Sequence, residues 1–411
     1  MKNSVSYQGD VWSLMGSCPE PLYLYGTGDG ADKILDEMLR RDIRPAGIFV
    51  SEDFYRGQVF RGFSVTTLSR LEADGAPFAV VIAFGSHLPE LIRRVKDIAF
   101  RHRVFIPDVP VAGDQLFDAS FYQAHKKELQ EVRGLWADDL SRDVFDSVLW
   151  YKLSGSPKHL FDCVSPKEEA LALLYPEAPA EPQSYVDLGA YRGDTVQEFL
   201  SLMTSFQDSQ VSPDAHYVTA LEPDPKTFRK LKEAFGSRPH TRLLNGAAGE
   251  SSGEEPMVFG RGRGSHAGQS PVDQNRGSRA GAGLQTPGSR GSHVGSSQIP
   301  GSRGSHVGQT PDPSAPGVKV VPVYSLDDLE WPLPPSYIKI DVEGAEKEAL
   351  LGARRLIQNC HPRLNLALYH RSEDLFVLPL LIHKMAPELK LYLRRHDCFP
   401  CWDLNLYAVP E

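Results

Sequence analysis

Cysteine is scarce: Cys18, Cys163, Cys360, Cys398 and Cys401 are the only five in a chain of 411 residues. An odd and mostly scattered set excludes a disulfide framework and fits a reducing compartment. Long apolar runs are missing too, since the longest, Phe78–Phe84, is too short to span a bilayer. The opening MKNSVSYQGD has a lysine but no apolar stretch, so no signal peptide is read and a cytoplasmic protein without membrane insertion is expected. Basic surplus is also absent. Against 53 Asp and Glu stand 44 Lys and Arg, a net charge of -9, which argues against nucleic acid and anionic membranes as partners. Small-molecule ligands remain.

Glycine and proline, at 35 and 32, are the excess in an otherwise ordinary composition of 41% hydrophobic and 24% charged residues. Fourteen of the glycines fall within residues 260–317, where Arg263–Gly268, Arg276–Gly281, Arg290–Gly295 and Arg303–Gly308 repeat one unit. With almost no large apolar side chains, these 58 residues cannot offset their ordering entropy. They read as a tandemly duplicated, mostly disordered low-complexity insertion. The remaining 353 residues suit two domains and a linker.

Strands are expected at Leu22–Tyr25, Gly47–Val50, Phe78–Ala83 and Arg103–Ile106, with helices over Asp32–Arg41 and Leu88–Arg101. This alternation predicts a parallel sheet with crossover helices, a Rossmann-like N-terminal domain over 1–116. Residues 117–183 read as a helical linker, with Asp139, Ser141 and Ser165 as N-caps. A second alternation fills 184–411, with strands at Tyr185–Leu188, Tyr217–Glu222, Arg242–Asn245, Ser336–Asp341, Arg363–Tyr369, Lys390–Arg394 and Leu404–Val409. The fold class is therefore α/β, with a seven-stranded, mostly parallel sheet in the second domain.

Three consecutive strand ends there suit a nucleoside. The first carries Asp187, Gly189, Ala190, Gly193, Asp194 and Thr195, where glycines admit close backbone approach and a helix begins. The second carries Glu222, Pro223 and Asp224, an acid placed to accept ribose hydroxyls. The third carries Asn245, Gly246 and Ala247, small residues with an amide to read an adenine edge. Because the Gly189-to-Gly193 spacing is not Gly-x-Gly-x-x-Gly, NAD is disfavoured.

The combination resembles Rossmann-like S-adenosylmethionine-dependent methyltransferases. The fourth strand end, Tyr337–Leu350, with Ser325–Leu329 before it and Leu368–Leu375 and Leu391–His396 after, resembles the signature of the FkbM-type methyltransferases. Some bacterial members have a similar N-terminal domain and helical linker. The resemblance implies S-adenosyl-L-methionine as cofactor, with Asp341 added to the residues holding it. It also implies O-methyl transfer to a hydroxyl of a sugar, glycoconjugate or related natural product. Lys339, Asp341, Glu343 and His370 are the catalytic candidates, each at a strand's carboxyl end, and His370 has the natural titration range of a base. Glu343 and Glu346 also suit the first turn of a helix. A divalent ion on Asp341 and Glu343 is the weaker reading, so no metal is expected.

Two other features compete. Gly26-x-Gly28-x-x-Ala31, with Glu52 or Asp53 beyond, superficially matches a dinucleotide fingerprint but reads better as docking or oligomerisation structure, leaving a homo-oligomer open. Cys398 and Cys401 read as a turn between strands. The alternative functions are a nucleotide- or NAD-dependent enzyme working through the N-terminal domain with the C-terminal domain regulatory, and a non-enzymatic interaction protein recruiting partners through its repeats.

Overall fold

In the computed structural model, residues 9–206, 210–259, 265–267 and 318–411 are described. Six strands build the first sheet: β1 (Leu22–Tyr25), β2 (Gly47–Val50), β3 (Val59–Phe60), β4 (Phe63–Thr67), β5 (Ala79–Ile82) and β6 (Arg103–Phe105). Their order is β3-β4-β2-β1-β5-β6, parallel except for the β3–β4 hairpin. That hairpin was not expected, because its half-exposed residues leave little apolar periodicity to read. The first crossover helix runs Asp29–Arg40, three residues earlier than the sequence reading. Gly30 permits this start, since a Cβ there would lie 2.8 Å from the Ala83 carbonyl oxygen.

Of the linker helices, Asp139–Ser154 and Lys167–Leu174 pack on strands of the second sheet. The longest, Asp139–Ser154, is capped by Asp138, whose carboxylate accepts the Ser141 N–H at 2.8 Å, so Asp139 and Ser141 sit inside the helix. Asp138 also receives Arg394 Nη2 at 2.6 Å. Ser165 caps no helix either; its N–H donates to the Arg395 carbonyl, and the next helix begins after Pro166. Phe145, Val148 and Tyr151 join Leu391 and Leu393 in one apolar cluster that continues to Phe49 and Val80 of the first sheet.

Continuing in chain order, the second sheet uses β7 (Ser184–Leu188), β8 (Tyr217–Leu221) and β9 (Thr241–Leu244). A small separate sheet follows: β10 (Ala247–Ala248), β11 (Gly253–Phe259), β12 (Ser265–Ala267) and β13 (Val318–Tyr324). The large sheet is completed by β14 (Tyr337–Ile340), β15 (Arg363–Ala367), β16 (Lys390–Arg395) and β17 (Leu404–Val409). Its order is β16-β17-β15-β14-β7-β8-β9, with β17 alone running against the rest. All seven expected strands are present. Central β7 and β14 are buried along their whole length, as parallel strands covered on both faces must be.

The small sheet, ordered β10-β13-β11-β12, was not anticipated. Its β11 carries two glutamates and a proline, and β13 exposes alternate residues, so neither reads as a core strand. The predicted insertion lies outside the described residues except at 265–267, which pair antiparallel with β11. No helix among the described residues is long and apolar enough to cross a membrane.

Candidate active site

A cleft of about 580 Å³ opens at the carboxyl ends of β7, β8 and β14, with β10 and β11 of the small sheet on its flank. Its floor depends on two left-handed glycines. Gly189, directly after β7, has φ +81°, and a Cβ there would lie 1.9 Å from the Asp341 carbonyl oxygen. Gly193 has φ +91° and caps the helix Asp194–Ser205; a Cβ would meet the Phe235 ring at 2.2 Å. Its glycine is therefore demanded by packing as well as by conformation.

Of the residues expected to hold a nucleoside, Gly189, Asp194, Thr195, Glu222, Pro223 and Asp224 line the cleft, as do Gly246 and Ala247. Glu222 is fixed from both sides. Its Oε2 accepts the Tyr191 N–H at 3.0 Å and its Oε1 the Asp224 N–H at 2.8 Å. Burial pushes this carboxyl up to about 7, although both N–H bonds pull the other way.

Asp187, Ala190 and Asn245 stand behind the lining. Asp187 is fully buried, accepts the Thr195 hydroxyl at 2.5 Å, and faces Lys339 Nζ at 3.3 Å. Asn245 donates its amide to the carbonyls of Glu222 and Pro223, so it shapes the loop and has no amide hydrogen directed at a base edge.

Lys339 and Asp341 do converge. Register sets Lys339 beside Asp187 on the adjacent strand, and its ammonium reaches Asp341 at 3.7 Å and the Gly189 carbonyl at 3.1 Å. Burial would lower this lysine, but Asp187 and Asp341 hold it above its usual value. Asp341 is held low: burial opposes ionisation, and Lys339, His370 and the Tyr369 hydroxyl outweigh it. Both groups are ionised at neutral pH.

His370 is buried behind the cleft wall. Its Nδ1 lies 2.8 Å from Glu346, and its Nε2 lies 3.5 Å from Asp341 and 3.6 Å from Glu343. Burial alone would lower the imidazole, yet these three carboxylates raise it to about 10. It is an imidazolium at neutral pH, which corrects the expectation of a base ready to take a proton. Glu343 lines the cleft in a left-handed conformation, φ 55°, and burial raises its carboxyl.

Sequence reasoning placed Glu346 as a helix-start acid, and it is the first residue of Glu346–Leu351. What it missed is that the side chain folds back, so that Oε1 accepts the N–H groups of Val342 and Gly344 besides contacting His370. Tyr369, Arg371 and Asp374 were also missed. Asp374 is pushed up to about 8, by burial first and then by the Glu346 charge. Asp341, Glu346 and His370 place one ligand-type atom each within 4.8 Å of one another, with His370 Nδ1 already engaged by Glu346.

In the N-terminal unit, Phe399 and Trp402 from the loop between β16 and β17 press on the chain leaving β5. Ser86 bridges Phe399, and a Cβ on Gly85 would lie 2.2 Å from the Trp402 ring. The helix after Gly28 starts with Asp29 and Asp32 in its first turn, which disfavours a pyrophosphate there. Cys398 and Cys401 are buried free thiols within the loop.

A family model described as the methyltransferase FkbM domain matches residues 187–397, just over half of the chain. The chain belongs to the FkbM methyltransferase family. Its whole length resembles a solved FkbM methyltransferase from Methylobacillus flagellatus KT, with a TM-score of 0.61 at 18% identity, covering 97% of this chain and 90% of that one. At that identity the likeness bears on the fold alone. Aeropyrum pernix fibrillarin, solved with natively bound S-adenosyl-L-methionine, aligns at TM-score 0.30 and 13% identity over 59% of this chain and 74% of its own. A TehB-like methyltransferase from Corynebacterium glutamicum ATCC 13032 aligns at 0.24 and 8%, over 71% and 99%. Neither score is high enough to bear on this FkbM methyltransferase. No curated protein matches it.

Proposed function

We propose that this FkbM methyltransferase transfers the methyl of S-adenosyl-L-methionine to a hydroxyl of a sugar, glycoconjugate or related natural product. Residues 184–411 are the catalytic unit, and 1–116 with the helices of 117–183 are its docked support. The observation that carries the reading is Glu222, a carboxylate clamped by two N–H groups at the second strand end of an acid-lined cleft. Its remaining lone pairs suit the two ribose hydroxyls, and the Gly246–Ala247 step leaves room beside them for a flat base. An acid-rich lining also favours a cationic sulfonium.

The bound cofactor supplies an electrophilic methyl carbon. For the rest the protein's own groups suffice. Lys339 and Asp341, ionised and mutually held, tie the end of β14 to Asp187 and to the Gly189 carbonyl after β7. Glu346 pins the loop from Val342 to Ala345 through two N–H bonds and orients His370, whose positive charge steadies Asp341 and Glu343. Glu343, basic for a carboxyl and exposed to the cleft, takes the acceptor's hydroxyl proton as oxygen displaces sulfur in line. Positioning dominates: orientation supplies effective molarities on the order of 10⁵ M, against roughly 10²- to 10⁴-fold from a base.

The test is calorimetric titration of the purified protein with S-adenosylhomocysteine, alongside mass spectrometry of methylated products from a panel of hydroxylated glycans. Binding lost in Glu222→Ala, with methyl ether products from the wild type, is the expected result. A wild type that binds no S-adenosylhomocysteine overturns the proposal.

A further inference from the structure

The lining of the cleft has two cations, Lys339 and Arg371, among the described residues. Lys339 is spent on Asp187, Asp341 and a carbonyl. Arg371 is different. Its Nε donates to the Gly344 carbonyl at 2.8 Å, and no carboxylate among the described residues lies within ion-pair distance of its guanidinium. Two left-handed glycines lie against it. A Cβ on Gly113 would come within 3.1 Å of its Nη1, and a Cβ on Gly344 within 3.3 Å of its Nε. The backbone is fixed as well, since the Arg371 N–H donates to Asp374 at 2.8 Å.

The half-buried guanidinium lines the cleft, and among the described residues its Nη edge has no hydrogen-bond partner, so that edge is available to a ligand. A planar fork fixed at Nε is arranged for bidentate contact with carboxylate or phosphate. Its place matters too: Gly344 directly follows Glu343, so the guanidinium is tied to the residue next to the proposed proton acceptor.

We propose that Arg371 recognises an oxyanion on the acceptor, so that the molecule methylated carries a phosphate or carboxylate near the reacting hydroxyl. This rests on the methyl-transfer reading above. A neutral sugar would have no use for a cation here, and the surrounding acids repel an anion from every other part of the cleft. Arg371 thereby sets the acceptor's orientation as well as its class.

The experiment titrates the full chain, saturated with S-adenosylhomocysteine, with inorganic phosphate, glucuronate and glucose, comparing wild type with Arg371→Gln and Arg371→Lys. The wild type should bind phosphate or glucuronate at least about tenfold more tightly than Arg371→Gln, the loss expected for a charge-assisted pair. Whichever anion shows the loss identifies the group, and Arg371→Lys should recover phosphate better than glucuronate. Glucose affinity should not change. S-adenosylhomocysteine binding in each variant reports that the cleft is folded. Equal anion affinity in wild type and Arg371→Gln, or none in a wild type that still binds S-adenosylhomocysteine, overturns the proposal. Failure of the wild type to bind S-adenosylhomocysteine instead removes the methyl-transfer reading beneath it.

Discussion

Replacing Lys339 by methionine removes a buried ammonium while keeping much of its volume, and the structure sets how large the effect must be. Asp187 is fully buried, and among the described residues its Oδ1 accepts no hydrogen bond, leaving the Lys339 ammonium at 3.3 Å as its counter-charge. Taking one partner from such a pair costs about 3–5 kcal/mol, and losing the bond to the Gly189 carbonyl adds about 1 kcal/mol. At roughly 2–4 °C per kcal/mol for a unit of this size, the melting temperature should fall by about 10 °C or more. Asp187→Asn/Lys339→Met removes both charges and should recover most of the loss, because the penalty belongs to the stranded carboxylate. Scanning calorimetry without ligand, near neutral pH where Lys339 is held up and Asp341 down, measures both. A single variant within about 1 kcal/mol of wild type, or a double variant no better than the single, would refute the reasoning.

Glu343→Gln should lower kcat by about 10²-fold or more while S-adenosylhomocysteine affinity holds, and it should abolish the rise in rate as pH climbs through the raised Glu343 carboxyl. Because Glu222 titrates near 7 and its ionised form accepts ribose hydroxyls best, S-adenosylhomocysteine affinity should increase from about pH 6 to about pH 8; Glu222→Gln should flatten that profile in calorimetry. For the ligand-free protein the sign reverses. Glu222 and Asp374 hold protons more tightly folded than unfolded, so their contribution is fully present below the ordinary carboxylate range and is lost as pH rises through about 7 and about 8, which melting temperatures across that window will register. Gly189→Ala should abolish both folding of the cleft and ligand binding, since its Cβ would meet backbone at 1.9 Å, whereas Gly28→Ala, with open space around it, should melt as wild type does.

Local pattern determined much of this protein by itself. Strand and helix periods placed the seven strands of the large sheet, and the Tyr337–Leu350 stretch carried the family, because burial between crossover helices is written directly into apolar spacing. Strand ends likewise located Glu222, Asp341 and Glu343 at one cleft. What only tertiary structure decided was who meets whom. Lys339 reaches Asp187 because β14 pairs β7 in one register, an encounter across about 150 residues of chain that no local spacing records. His370 became a cation because three carboxylates from the β14 loop and the following helix surround it, reversing the role its sequence position implied. The half-exposed β3, β4, β11 and β13 were unreadable for the same reason: their stability comes from partners and not from their own apolar pattern. Arg371 bonds the Gly344 carbonyl and lies against Gly113, two turning glycines that only the folded chain brings together.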